Sequence, residues 1–230
     1  MRQLLEVEHL NYRYDGTGAV LRDINFSVQE NERVGIVGGN GAGKSTLIWC
    51  ILGLLKAEGA IRLFGERPSR RNLSRVGVVF QNPEDMLFMP TLLDDVALPL
   101  INRGDATESA IARAQEVLGQ MGLQNLVKRP AAQTSLGERK RASIAAALAG
   151  CPDILMLDEP TAELDGRSVR QLKETLTRLK VAQLITSHNL GFLQDLTSRT
   201  LVLSEGAIIA EGPSNEILSD TSLIERAGLI

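Results

Sequence analysis

An α/β fold interrupted by a block of helices is what this sequence predicts, and three observations carry the prediction. Short apolar strands alternate with helical stretches through the first and last thirds. A glycine-rich loop joins an apolar strand to a helix at residues 38–45. From about Pro83 to Gly150 the pattern is helical.

Taken in order, "LLEVEHLNYRY" (4–14) partly alternates and "LRDINFSV" (21–28) does so clearly, with the turn residues "DGTG" between them. "RVGIVGG" (33–39) reads as a buried strand ending in glycines, and "STLIWCILGLL" (45–55) as a helix apolar nearly all round. "AIRLFGE" (60–66) and "RVGVVFQ" (75–81) are further short strands. In "TESAIARAQEVLGQMG" (107–122) apolar residues recur at three- and four-residue spacing, which predicts an amphipathic helix. The last third returns to alternation: strand "DILMLDEP" (153–160), helix "RSVRQLKETLTRLK" (167–180), strand "AQLITSH" (182–188). A hairpin follows over 199–212, turning at Glu205-Gly206. Strands linked through helices run parallel, so the core is expected over 1–82 and 151–230, with a helical subdomain over 83–150.

Composition narrows the function. At 230 residues and 43% hydrophobic, the chain can bury one sizeable core. A net charge of −3 with both signs interspersed excludes a broad polyanion-binding surface, and 3% aromatics leaves little for base stacking. No nucleic-acid partner is expected. The two cysteines, Cys50 and Cys151, each stand among apolar residues without ligand spacing, which fits structural thiols in a reducing compartment. The opening "MRQLLEVEHLNYRYDG" is not a signal peptide, and "IWCILGLL" is too short to span a bilayer. A soluble protein is expected, one that can still sit on a membrane partner.

"GGNGAGKS" (38–45) fits the pattern G-x-x-x-x-G-K-[ST] in the context that pattern needs, between a strand and a helix. Gly38, Gly39, Asn40, Gly41, Ala42 and Gly43 let backbone N–H groups wrap phosphates. Lys44 reaches the β and γ groups, Ser45 offers a hydroxyl to Mg²⁺, and Thr46 completes the segment. Asp158 ends the apolar strand "ILMLD" as a second metal ligand, and Glu159 is the expected base for the attacking water. His188 ends "AQLITSH" as a γ-phosphate contact. Gln81 ends "VGVVFQ", where an amide can meet Mg²⁺ or water. His9 carries no expected role.

A second anion-site pattern stands at "AAQTSLGERKRASIAAALAG" (131–150), where Ser135 and Gly137 precede a helix opening at Glu138. The phosphate loop, Gln81, "TSLGE", "LDEPTAELD" and His188 occur in that order, and in that order the chain resembles the ATP-binding cassette (ABC) ATPases, motor subunits of ABC transporters. The resemblance covers essentially the whole chain. It implies an ABC-type P-loop NTPase core with an N-terminal antiparallel β-subdomain and an inserted helical subdomain, ATP and Mg²⁺ as cofactors, and ATP hydrolysis. It further implies that Tyr14 stacks on adenine, with Tyr12 as the competitor. In such ATPases two cassettes pair head to tail. Ser135, Gly137 and Glu138 would then face the ATP of the partner cassette, and Asp165 the partner's active site. One chain thus needs two anion sites because it supplies half of each of two composite sites.

Where the family has Leu-Ser-Gly-Gly, this chain places Leu136 at the first glycine. A left-handed backbone there costs about 1–2 kcal/mol for a residue with a Cβ; a helical one leaves only a steric cost. "VVFQNPEDMLFMPTLLDDVALPL" (78–100) resembles the cobalt and energy-coupling-factor subgroup, whose motors drive vitamin or metal-ion uptake. That resemblance implies docking of an integral membrane subunit on Met86, Leu87, Phe88 and Met89, with packing of the helical subdomain as the alternative use of these four. The expectation is therefore an importer ATPase, pairing as a homo- or heterodimer, cytoplasmic and peripheral on the inner face of the cell membrane. Alternatives are a nucleotide-gated partner with one poorly hydrolysing site, and an ATPase of another importer or exporter class. DNA-repair members need a long coiled coil between Gly43 and Ser135, which this chain lacks, and translation members carry two cassettes.

Overall fold

The computed structural model describes residues 2–16 and 18–229. The chain runs through β1 (Gln3–Arg13), β2 (Ala19–Gln29), β3 (Arg33–Val37), α1 (Lys44–Ile51), β4 (Glu58–Leu63) and α2 (Arg70–Leu73). It continues through β5 (Val76–Val79), a 3-10 turn at Pro83–Asp85, α3 (Leu92–Arg103), α4 (Thr107–Gln120), α5 (Leu136–Ala149), β6 (Ile154–Asp158) and α6 (Gly166–Arg178). Last come β7 (Ala182–Ser187), α7 (Leu190–Leu196), β8 (Arg199–Ser204), β9 (Ala207–Pro213), α8 (Ser214–Ile217) and α9 (Thr221–Arg226). These elements form two compact units, Met1–Leu73 with Lys180–Ile230, and Ser74–Leu179.

In the first unit β1 is the centre of a three-stranded antiparallel sheet, β2-β1-β4. The partial alternation of β1 has a structural cause. The pairing shifts between Val7 and Leu10, where His9 takes a φ of 50°, so Leu5, Val7 and Leu10 are all buried despite their uneven spacing. His9 itself is exposed, its Nδ1 2.7 Å from Asp23 Oδ1. Four more strands stand in the order β7-β3-β8-β9. β3 runs parallel to both neighbours, and β8-β9 is an antiparallel hairpin. The hairpin turns at Glu205 and Gly206, with φ of 45° and 79°. The glycine is needed there, since a Cβ would stand 2.3 Å from the Val20 carbonyl oxygen.

Helix α1 is shorter than its apolar run suggests. Gly53, with a φ of 72°, closes it as its N–H bonds to Cys50 and the Leu54 N–H bonds to Trp49, leaving Leu54 63% exposed. Apolar composition alone could not mark that stop.

In the second unit β5 and β6 pair in parallel, and α3, α4 and α5 occupy the stretch that reads as helical. α5 begins at Leu136, two residues before the expected start, because Ser135 caps it. Its residues Ala142, Ile144, Ala145 and Ala149 are fully or nearly fully buried. Cys50 is buried, and burial pushes its thiol up to about 11. Cys151 departs from the expectation: it is exposed just after α5, with its Sγ 3.3 Å from Arg113 Nη2. Among the described residues no helix is long and apolar enough to cross a membrane.

Candidate nucleotide site

The first unit carries the phosphate loop at the carboxyl end of β3. Its glycines are dictated by space and backbone: a Cβ on Gly38 would lie 2.3 Å from the Leu203 carbonyl oxygen, and Gly43 has a φ of 106°. Gly43 is also the N-cap of α1, and it offers no side chain to the first-turn N–H groups. That leaves an oriented set of donors and the positive end of the helix dipole for an anion. Lys44 is 7% exposed and folds back over the loop, its Nζ donating to the carbonyls of Gly38 (2.7 Å) and Gly39 (3.2 Å). Ser45 is half-buried and Thr46 buried beside it, while Asn40 and Gly41 are exposed and Ala42 is buried.

Tyr14 follows β1, and its hydroxyl lies 3.3 Å from Thr46 Oγ1, at the first turn of α1. Tyr12 meets the Tyr14 ring edge-on at 4.9 Å, so the competitor supports Tyr14. On β7, Ser187 pairs with Val37 of β3. His188 and Gly38 therefore leave the sheet at the same end, and His188 is exposed. One neighbour of the loop has no sequence signal. The carbonyl oxygens of Ala227 and Gly228, just past α9, would each lie 3.2 Å from a Cβ on Gly39. The close approach explains the glycine at a variable position of the pattern.

The second unit carries the other candidates at the carboxyl ends of β5 and β6. Val79 pairs with Leu157, so Gln81 and Glu159 each follow two residues past paired positions. Gln81 is exposed; Asp158 and Glu159 are 2% and 6% exposed. Glu159 adopts a φ of 45°, an unfavourable backbone for a residue with a Cβ and one often found at functional positions. Lys140 of α5, which lies within the 131–150 pattern but carries no expected role there, is 2% exposed and donates to the Gln81 carbonyl. Burial lowers its pKa, against the opposing pull of Glu163, Asp158 and Glu159. Its signal is a lysine four residues from Ile144 on a helix whose other side chains are mostly small and apolar.

At the start of α5, Ser135 and Glu138 form a capping box. The Glu138 carboxylate accepts from the Ser135 N–H (2.7 Å) and hydroxyl (2.8 Å), which hold its pKa low. A Cβ on Gly137 would lie 3.0 Å from Ser168 Oγ. Asp165 caps α6, accepting from the Ser168 N–H at 2.7 Å, and that bond lowers its pKa. Ser135, Gly137, Glu138, Asp165, Arg141 and Arg167 line a pocket of about 420 Å³. Leu136 takes the second of its two possible backbones: it is the first helical residue of α5, so it carries no left-handed strain. We therefore expect Leu136→Gly to leave ATP turnover within about threefold of the parent, read as the steady-state rate at saturating ATP. A tenfold rise would show that this side chain obstructs the site.

The segment after Gln81 divides. Leu87 is 7% exposed and packs inward, so it cannot present an apolar surface as expected. Phe88 is 69% exposed, and Met86 and Met89 are half-buried. Met86, Phe88, Leu98, Pro99 and Ala147 line a groove of about 430 Å³, together with Asp95. Asp95 Oδ1 accepts from the Phe88 and Met89 N–H groups, both at 2.8 Å, while its buried Oδ2 has no hydrogen-bond partner. Burial raises the pKa of this carboxyl.

Ser45 in the first unit, and Gln81 and Asp158 in the second, each carry an oxygen of the kind a hard cation such as Mg²⁺ takes. Among the described residues no group of three or more His, Cys, Asp or Glu could hold a metal ion by itself.

Comparison with known proteins supports ATP binding. A family model described as "ABC transporter" matches residues 21–162. A putative ABC transporter ATP-binding protein of Gloeobacter violaceus is 40% identical, the match covering 100% of this chain and 97% of the relative. The energy-coupling factor transporter ATP-binding protein EcfA of Methanothermobacter thermautotrophicus is 42% identical, over 98% of this chain and 76% of its own. Among solved structures, cbiO1 of Clostridium perfringens, described as part of the ABC transporter complex cbiONQ, superposes with a TM-score of 0.86. It is 30% identical, and 100% of this chain and 96% of that one are covered.

Proposed function

Because the chain belongs to the ABC transporter family of ATP-binding subunits, and is an ATPase on that evidence, we propose that it is the motor of an importer of metal ions or vitamins, of the cobalt or energy-coupling-factor type. The observation that carries this finer reading is the segment after Gln81, with Phe88 exposed on a groove that Asp95 also lines. Its likeness to EcfA and cbiO1 adds support.

In this reading the N–H groups of residues 39–46 hold the phosphates, Lys44 neutralises the β and γ groups, and Tyr14 carries the adenine ring. Mg²⁺, when bound, screens phosphate charge; Ser45, Asp158 and Gln81 are its protein donors. Glu159 accepts the proton of the attacking water, and His188 contacts the γ-phosphate. Ser135, Gly137, Glu138 and Asp165 serve the nucleotide of a second cassette, homologous or identical. Ser135 would have to turn its hydroxyl away from Glu138 to meet that phosphate. A membrane subunit covers Phe88, Met86 and Met89, which places the chain at the inner face of the cell membrane.

The test is Phe88→Arg in cells that make the whole transporter. We expect recovery of the chain in washed membranes to fall about tenfold, since a charge enters an apolar contact. Full recovery would remove Phe88 from the docking surface. The second reading, a partner with one poorly hydrolysing site, loses ground because Leu136 is helical.

A further inference from the structure

Lys140 occupies a core position in the second turn of α5, with 2% of its surface exposed. A buried ammonium is costly unless it is paired, and an apolar side chain would fill the same space without that cost. Its Nζ donates to the main-chain carbonyl of Gln81, a residue 59 positions away in sequence. Gln81 is the exposed residue two past the last pair of β5 with β6. On the other side, Lys140 shares one rigid frame with Ser135, because the capping box closes the start of the same helix.

We propose that Lys140 is a positioning residue that acts through Gln81, holding its main chain and tying the turn after β5 to the helix that begins at the Ser135 cap. The inference rests on the reading of Gln81 as a contact of the metal or the attacking water. The Gln81 amide is then presented from a fixed main chain. Any displacement of that turn is passed to the start of α5 without direct contact between Gln81 and Ser135.

The experiment is a double-mutant cycle on the purified full chain, reading kcat, KM and thermal melting. Lys140→Met removes the donor at nearly constant length. We expect kcat to fall about tenfold while KM moves less than about twofold. Lys140→Gln keeps an N–H donor without the charge and should restore kcat to within about threefold. In a Gln81→Ala background, Lys140→Met should cost less than about twofold more, because there is no longer an amide to position.

Wild-type kcat in Lys140→Met overturns the proposal. So does a glutamine variant as slow as the methionine one, which would make the charge rather than the hydrogen bond the active feature. Fully additive losses overturn the tether and leave the role of Gln81 standing. Gln81→Ala at full rate overturns the role of Gln81 itself, which is a separate result. Should the methionine protein melt early, Lys140→Gln decides alone: kcat within about threefold supports the tether, and a tenfold loss overturns it.

Discussion

Glu159→Gln abolishes ATP turnover and leaves ATP binding intact: this is the largest effect expected of any single change in the chain. The carboxylate follows β6 directly and is 6% exposed, so its charge is little diluted by water. An amide of the same shape cannot take the proton of an attacking water, and loss of a general base costs about 10²–10⁴ in rate. The left-handed backbone at this residue, φ 45°, is set by the turn and is retained in the variant. Two measurements check this: phosphate release under saturating Mg-ATP, and light scattering with and without Mg-ATP. A shift from monomer to dimer on adding ATP would show that two copies of the chain close around nucleotide, with Leu136 tolerated. A persistent monomer with ATP bound would point to a different cassette as the obligatory partner. Undiminished phosphate release would remove Glu159 from the mechanism.

Lys44→Ala acts one step earlier. The ammonium is nearly enclosed and bonds the carbonyls of Gly38 and Gly39, so it is already held inside the loop that would wrap the phosphates. Removing it takes away a charge-assisted contact to phosphate and leaves those carbonyl oxygens facing an anion. Breaking one side of a buried charged pair costs about 3–5 kcal/mol, so ATP affinity should fall by about two to four orders of magnitude. Lys44→Arg should not rescue it, since a planar fork does not fit where a compact point charge folds back on the loop. Calorimetric titration with Mg-ATP reads the effect. Binding as tight as the parent's would mean that the backbone N–H groups alone hold the nucleotide.

Much of this site is legible in the amino-acid sequence. The phosphate-loop pattern needs no tertiary information, because the spacing of Gly38, Gly43, Lys44 and Ser45 encodes a local turn into a helix. The strand ends are legible too. Gln81 and Asp158 each stop an apolar run in the second unit, where β5 and β6 pair in parallel, and His188 stops one in the first, beside the end of β3. The departures also have physical causes. Leu87 and Phe88 are alike in hydrophobicity, yet one turn of backbone sends Leu87 inward and leaves Phe88 exposed. Cys151 has apolar neighbours in sequence, which suggests burial, but it follows the Gly150 cap of α5 with a φ of 54° and is exposed.

Local chemistry is written directly in the chain: the α/β alternation, the phosphate loop, the acidic pair Asp158-Glu159, and the Ser135 cap with Glu138 three residues on. Each of these lies within a few consecutive residues, in backbone preference or hydrogen-bonding reach. It took the folded arrangement to press the carbonyls past α9 on Gly39, to line one groove with both Asp95 and Ala147, and to bring Lys140 onto Gln81. Those facts join residues far apart along the chain. They depend on which surfaces remain in contact once the apolar side chains have left water, and that is settled by packing rather than by any local pattern.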